Sequence, residues 1–152
     1  MKNTPKPKGF ELAAQAKLLL REVLKLTFKG PKKYRFSLFQ KMETLALDIL
    51  QDIYEANNSY VAGSDAGRIL TQRINLHVDA LAKVNILGTL ADVAVEYGGI
   101  SKGEFANLTK LISSVGRMLG AWHKSDRLRY EDFIQEKEVT HVRSKPKSKK
   151  LS

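Results

Sequence analysis

Apolar residues recur every three or four positions through most of this chain. Leu12, Ala16, Leu19, Val23 and Leu26 form the stripe of a first amphipathic helix beginning near Phe10. Gly30-Pro31 ends it, since glycine suits a helix C-terminus and proline cannot continue the helix. A second helix from about Phe36 to Asn57 turns Phe39, Met42, Leu45 or Ala46, Ile49 and Ile53 inward and Glu43, Asp48, Asp52 and Glu55 outward. Asn57-Asn58-Ser59 breaks the pattern, and a loop through Gly63 leads to Ser64, read as the N-cap of a long third helix reaching Tyr97. Gly98-Gly99 closes that helix, and Ser101 with Glu104 makes a capping box for a fourth. Its inward row is Phe105, Leu108, Ile112, Val115, Leu119 and Trp122. Four sequential helices with short connections predict an all-α, antiparallel up-down four-helix bundle over residues 10 to 127.

The third helix carries more apolar surface than one stripe holds. Ala80, Val84, Leu87, Ala91 and Ala94 share a face, while Leu70, Ile74, Val78 and Leu81 form a second row roughly 100° away. Either that row is covered by its own chain in a central helix, or it is an oligomer interface, because monomers seldom leave long apolar stripes bare.

Residues 1 to 9 hold two prolines, a glycine and no apolar residue between Met1 and the helix, which predicts a flexible basic arm. Residues 128 to 152 read as a charged, largely disordered basic tail; within it Arg129 to Glu138 can extend the helix, while Lys145 to Lys150 is expected to be disordered. At 43% apolar and 28% charged residues, the whole chain has the composition of a globular protein. The absence of cysteine excludes a disulfide scaffold, a thiolate metal site and a cysteine nucleophile, and fits a cytoplasmic location. Glu11, Gln15, Lys17, Arg21 and Glu22 interrupt the first apolar stretch, so neither a secretion signal nor a membrane span is expected.

Charge is sorted along the chain. Residues 1 to 36 contain ten Lys/Arg against two Asp/Glu, residues 37 to 97 four against eight, and residues 98 to 152 twelve against six. In an up-down bundle the first and last helices are neighbours, so both basic segments fall on one side and make a polyanion footprint. Lys17, Arg21, Lys25 and Lys29 step by four along the first helix, Lys32, Lys33 and Arg35 fill the first turn, and Lys110, Arg117 and Lys124 lie on the fourth helix. These ten residues are the candidate nucleic-acid contacts. Tyr34 and Phe36, interleaved with them, are candidates for stacking on unpaired bases, although Phe36 also suits a staple on helix two.

Catalytic motifs are missing. There is no glycine-rich phosphate loop, no zinc-binding His-Glu-x-x-His and no Gly-x-Ser-x-Gly elbow. His77, His123 and His141 are too dispersed for a local ligand cluster, and neither a metal nor a cofactor is expected. Asp48, Asp52 and Glu55 read as solvated helix surface, and Trp122 as core. Arg117 and His123 resemble the Arg-x(4 to 6)-His signature of the HEPN ribonucleases, but a six-residue step turns the side chains roughly 240° apart on a helix.

Pro31-Lys32-Lys33-Tyr34-Arg35-Phe36-Ser37-Leu38, Ser64-Asp65-Ala66-Gly67 and Val115-Gly116-Arg117-Met118-Leu119-Gly120-Ala121-Trp122 resemble the Avd-like four-helix-bundle proteins, over about residues 10 to 127. These are the accessory variability determinants of diversity-generating retroelements, and they resemble the bundle proteins of ribosomal RNA intervening sequences. The resemblance implies a basic homopentameric barrel, without catalysis of its own, that binds a reverse transcriptase and its template RNA or complementary DNA during mutagenic copying. It reaches only Lys32, Lys33, Arg35 and Arg117 as matching basic positions; the other candidates come from charge placement. A protein-protein adaptor and an intervening-sequence bundle protein are the alternatives, with a HEPN-type metal-independent ribonuclease behind them.

Overall fold

The computed structural model describes residues 8 to 144, so residues 1 to 7 of the expected arm and the Lys145 to Lys150 run lie outside the described residues. The elements are α1 (Lys8–Lys29), a 3-10 turn (Lys32–Tyr34), a π turn (Arg35–Phe39), α2 (Gln40–Asn58), α3 (Ala66–Glu96) and α4 (Lys102–Ser144). The described residues form an all-helical four-helix bundle without strands. Each helix packs on the next, and α1 closes the ring against α4. Cross-helix contacts set the direction at three of these interfaces. Gly9 lies against Asn57, and the Thr27 hydroxyl donates to Glu43, so α1 and α2 run antiparallel. Gly67 abuts the Phe133 ring, and Lys29 pairs with Glu104, which does the same for α3 with α4 and α1 with α4.

The expected inward rows meet in one core. All five stripe residues of α1, both Leu45 and Ala46 of α2, and the Ala80 to Ala94 row of α3 are buried. In α4, Leu108, Ile112, Val115, Leu119 and Trp122 are buried, and Phe105 packs half-buried against them. The capping box is formed in both directions: the Glu104 amide donates to the Ser101 hydroxyl at 3.1 Å, and the Ser101 amide donates to the Glu104 carboxylate at 2.9 Å. Gly98 takes a positive φ of 77° at the end of α3, where it reverses the chain with little steric cost.

Several boundaries differ from expectation. Regular α2 begins at Gln40, because the π turn intervenes: the Gln40 amide donates to the Arg35 carbonyl, five residues back. α3 begins at Ala66 with Asp65 in the capping position and no side-chain cap, so Ser64 does not cap it. The expected tail also proves helical as far as Ser144. Phe133 packs against Gly67, carrying the α3 contact past Arg127, and each further residue extends a helix already nucleated.

This longer α4 changes the role of the second apolar row. Leu70 is 1% exposed and belongs to the interior of its own chain, which removes it as an oligomer contact. Leu81 packs half-buried against the core, and Ile74 shares a surface hollow with Tyr130 and Ile134 of the α4 extension. Only Val78, at 49% exposure, keeps an open side chain in that row; Ile86 is similarly open further along α3.

Candidate nucleic-acid interface

The basic side of the bundle arises from helix phase and topology together. On α1, burial of Leu12, Leu19 and Val23 leaves Lys17, Arg21 and Lys25 on the opposite, exposed face. On α4, burial of Leu108, Val115 and Leu119 does the same for Lys110, Arg117 and Lys124. The helices touch, with the Ser114 hydroxyl donating to Gln15 at 3.4 Å, so the two exposed basic rows are carried by adjacent elements. Lys17, Arg21, Lys110, Arg117 and Lys124 form no ion pair among the described residues; Lys25 stands 4.0 Å from Glu22. Lys29 is partly neutralised by Glu104 at 3.1 Å.

The first turn is anchored to the C-terminus of α3, which lies at the same end of the bundle. Tyr34 donates its hydroxyl to the Tyr97 carbonyl at 2.5 Å and sets its ring edge-on to Phe39, with centroids 5.7 Å apart. Tyr34 is therefore engaged as an anchor, and its ring also carries the Lys33 ammonium at 5.0 Å. Phe36 is 82% exposed and does not staple α2. Lys32, Lys33 and Arg35 all project from this fixed turn and are exposed.

A second polar group, missed in the sequence, lies inside the bundle between α3 and α4. Arg73 binds both carboxylate oxygens of Asp126, and its guanidinium lies 5.4 Å from the centre of the Trp122 ring. His77 packs against Trp122 at 4.2 Å and edge-on to His123 at 6.4 Å. Neither ring nitrogen of His77 has a hydrogen-bond partner, and burial lowers its pKa to about 4 against the pull of Asp126. An Arg and an Asp in two different charged stretches give no local signal of such a pair. Arg117 is exposed while His123 is turned toward His77, so the HEPN-like pair does not share a face of α4.

Asp52 is a correction to the expected solvated acidic face. It is buried against α3 and accepts from the Lys83 ammonium at 2.6 Å. Burial raises its pKa, with Lys83 opposing; on Lys83, burial is outweighed by Asp52 and nearby Asp48 and Asp79, so the ammonium is raised. Among the described residues no three His, Asp or Glu side chains converge to hold a metal ion, and no helix is long and apolar enough to cross a membrane. The chain matches no protein-family model and no curated protein.

Proposed function

We propose that this protein is a non-catalytic nucleic-acid-binding accessory protein whose binding surface is the joined outer faces of α1 and α4. The observation that carries it is the adjacency of two exposed basic rows, Lys17, Arg21 and Lys25 with Lys110, Arg117 and Lys124, on helices far apart in sequence. Such a surface binds by releasing counterions condensed on phosphates, which makes affinity fall steeply with salt and depend little on sequence. The resemblance to the Avd-like bundles supports a more specific role: a partner of a reverse transcriptase, holding template RNA or complementary DNA, assembled as a homopentamer. Val78 and Ile86 are the open apolar residues of α3 available for self-association.

Binding to a structured RNA and a matched duplex DNA, measured across roughly 50 to 500 mM salt, tests the surface. Lys17→Glu, Arg21→Glu and Lys25→Glu together are expected to abolish binding at the upper end of that range while helicity is kept. Unchanged affinity would overturn the assignment of the α1 face. Retained polymerase binding without nucleic-acid binding would favour the adaptor alternative.

A further inference from the structure

The turn between α1 and α2 contains a cleft of about 390 Å³, within the ordinary size range of small-ligand sites of about 300 to 1,000 Å³. Its lining brings together chemistry that the open basic face lacks. Phe28, the residue before Lys29, is 77% exposed and supplies an aromatic wall; Phe39 is buried at the floor. Gly30 lets that floor form, because a Cβ there would stand 2.5 Å from the Phe39 ring. The carboxylate of Glu43 is fixed by the Thr27 hydroxyl at 2.6 Å. Of the three cations on the rim, Lys29 is held by Glu104, whereas Lys32 and Arg35 form no ion pair among the described residues.

We infer that this cleft seats one unpaired nucleotide of a single-stranded RNA or DNA, with its base on Phe28 and its phosphates on Lys32 and Arg35. An inorganic anion would leave the aromatic wall unused. An acidic peptide would meet the Glu43 carboxylate inside the cleft, whereas a base brings N–H donors that a carboxylate accepts. The tyrosine anchor to Tyr97 presets the cationic rim, which limits the ordering cost of binding. The inference rests on the nucleic-acid reading of the basic side and adds a site that distinguishes single strands from duplexes, because paired bases do not offer a free face to an aromatic ring.

The test is fluorescence anisotropy of the full chain with labelled RNA and DNA 12-mers of one sequence, each single-stranded and annealed to its complement. Phe28→Ala is expected to weaken single-strand binding by roughly 5- to 100-fold and leave duplex affinity unchanged. Phe28→Tyr, which keeps the stacking face, is expected to retain single-strand affinity; both variants alter an exposed side chain, and circular dichroism verifies their fold. Lys32→Ala with Arg35→Ala is expected to lower the single-strand salt slope by about two phosphate equivalents. If Phe28→Ala changes neither ligand, or both equally, the cleft assignment is overturned while the α1 and α4 surface stands. If the wild-type chain binds none of the four probes, the broader reading falls and takes the cleft with it. A preference for RNA over DNA, or the reverse, identifies the source of the nucleotide.

Discussion

Arg73 and Asp126 form a two-pronged ion pair that ties α3 to α4, with Nε and Nη2 donating to the two carboxylate oxygens at 2.6 and 2.5 Å. Both side chains are largely removed from solvent, so the pair is costly to break on one side only. Asp126→Ala is expected to destabilise the fold by about 3–5 kcal/mol, because it leaves a guanidinium without its counter-charge. Denaturant unfolding of the single variant and of Arg73→Met/Asp126→Leu checks this. The double replacement should recover most of the loss; a double variant as unstable as the single would show that the pair is needed for more than charge balance.

His77 makes stability depend on pH in a definable window. Its folded pKa of about 4 lies below the ordinary value of 6.5, chiefly through burial; among its charged neighbours Asp126 opposes the shift, while Arg73 and His123 add to it. Between those values the unfolded chain binds more protons than the folded one, so stability is retained above pH 6.5 and falls as pH drops toward 4, by about 3 kcal/mol in all. His77→Phe, which keeps the contact with Trp122 and removes two unbonded nitrogens, should flatten that part of the profile. Unfolding midpoints from pH 4 to 8 measure it, and an unchanged slope in the variant would assign the dependence elsewhere.

Lys83 compensates a carboxylate that the fold has buried. Lys83→Met is expected to cost about 1–3 kcal/mol at neutral pH, since Asp52 then lacks its partner. With its pKa already raised by burial, Asp52 favours the folded state when protonated, so the deficit should shrink as pH falls through the carboxylate range. Adding Asp52→Asn to Lys83→Met should recover stability at neutral pH, measured by thermal unfolding at pH 7 and pH 4.5.

Ser101 and Glu104 close the N-terminus of α4 reciprocally. Ser101→Ala is expected to cost about 0.5–2 kcal/mol. The Ser101 amide, helped by Lys29 and opposed by partial burial, holds the Glu104 carboxyl below its usual value. This contribution is therefore present above the ordinary carboxylate range and lost as pH falls through the lowered folded value. Glu104→Gln should reduce the acid sensitivity of unfolding, and an acid limb identical to wild type would remove the cap as its source.

Local signals account for the parts of the fold that were legible from residues alone. The three-and-four spacing of Leu12 to Leu26 and of Leu108 to Trp122 was sufficient to name the buried faces, and the Ser101 capping box was readable because its partners are three residues apart. The order of charge along the chain, combined with four short-linked helices, was enough to bring the basic segments to one side. For the stripes and the cap the cause acts within a few turns of helix; the basic side needs in addition only the order in which short-linked helices pack.

Contacts between helices set the features that depend on residues distant in sequence. Ile74 meets Tyr130 and Ile134 because α4 continues past Arg127, and Asp52 is buried where Lys83, on another helix, neutralises it. Tyr34 anchors the first turn because Tyr97 offers it a carbonyl, and Phe28 lines a cleft only because Gly30 and the π turn set Phe39 behind it. Periodicity states which face of a helix is apolar; it carries no information on which neighbour reaches that face, or how far that neighbour extends. The helices, their inward rows and the basic side follow from residue spacing and the order of charge, whereas burial of charge, closure of the second apolar row and the shape of the turn follow from contacts between elements that no local pattern encodes.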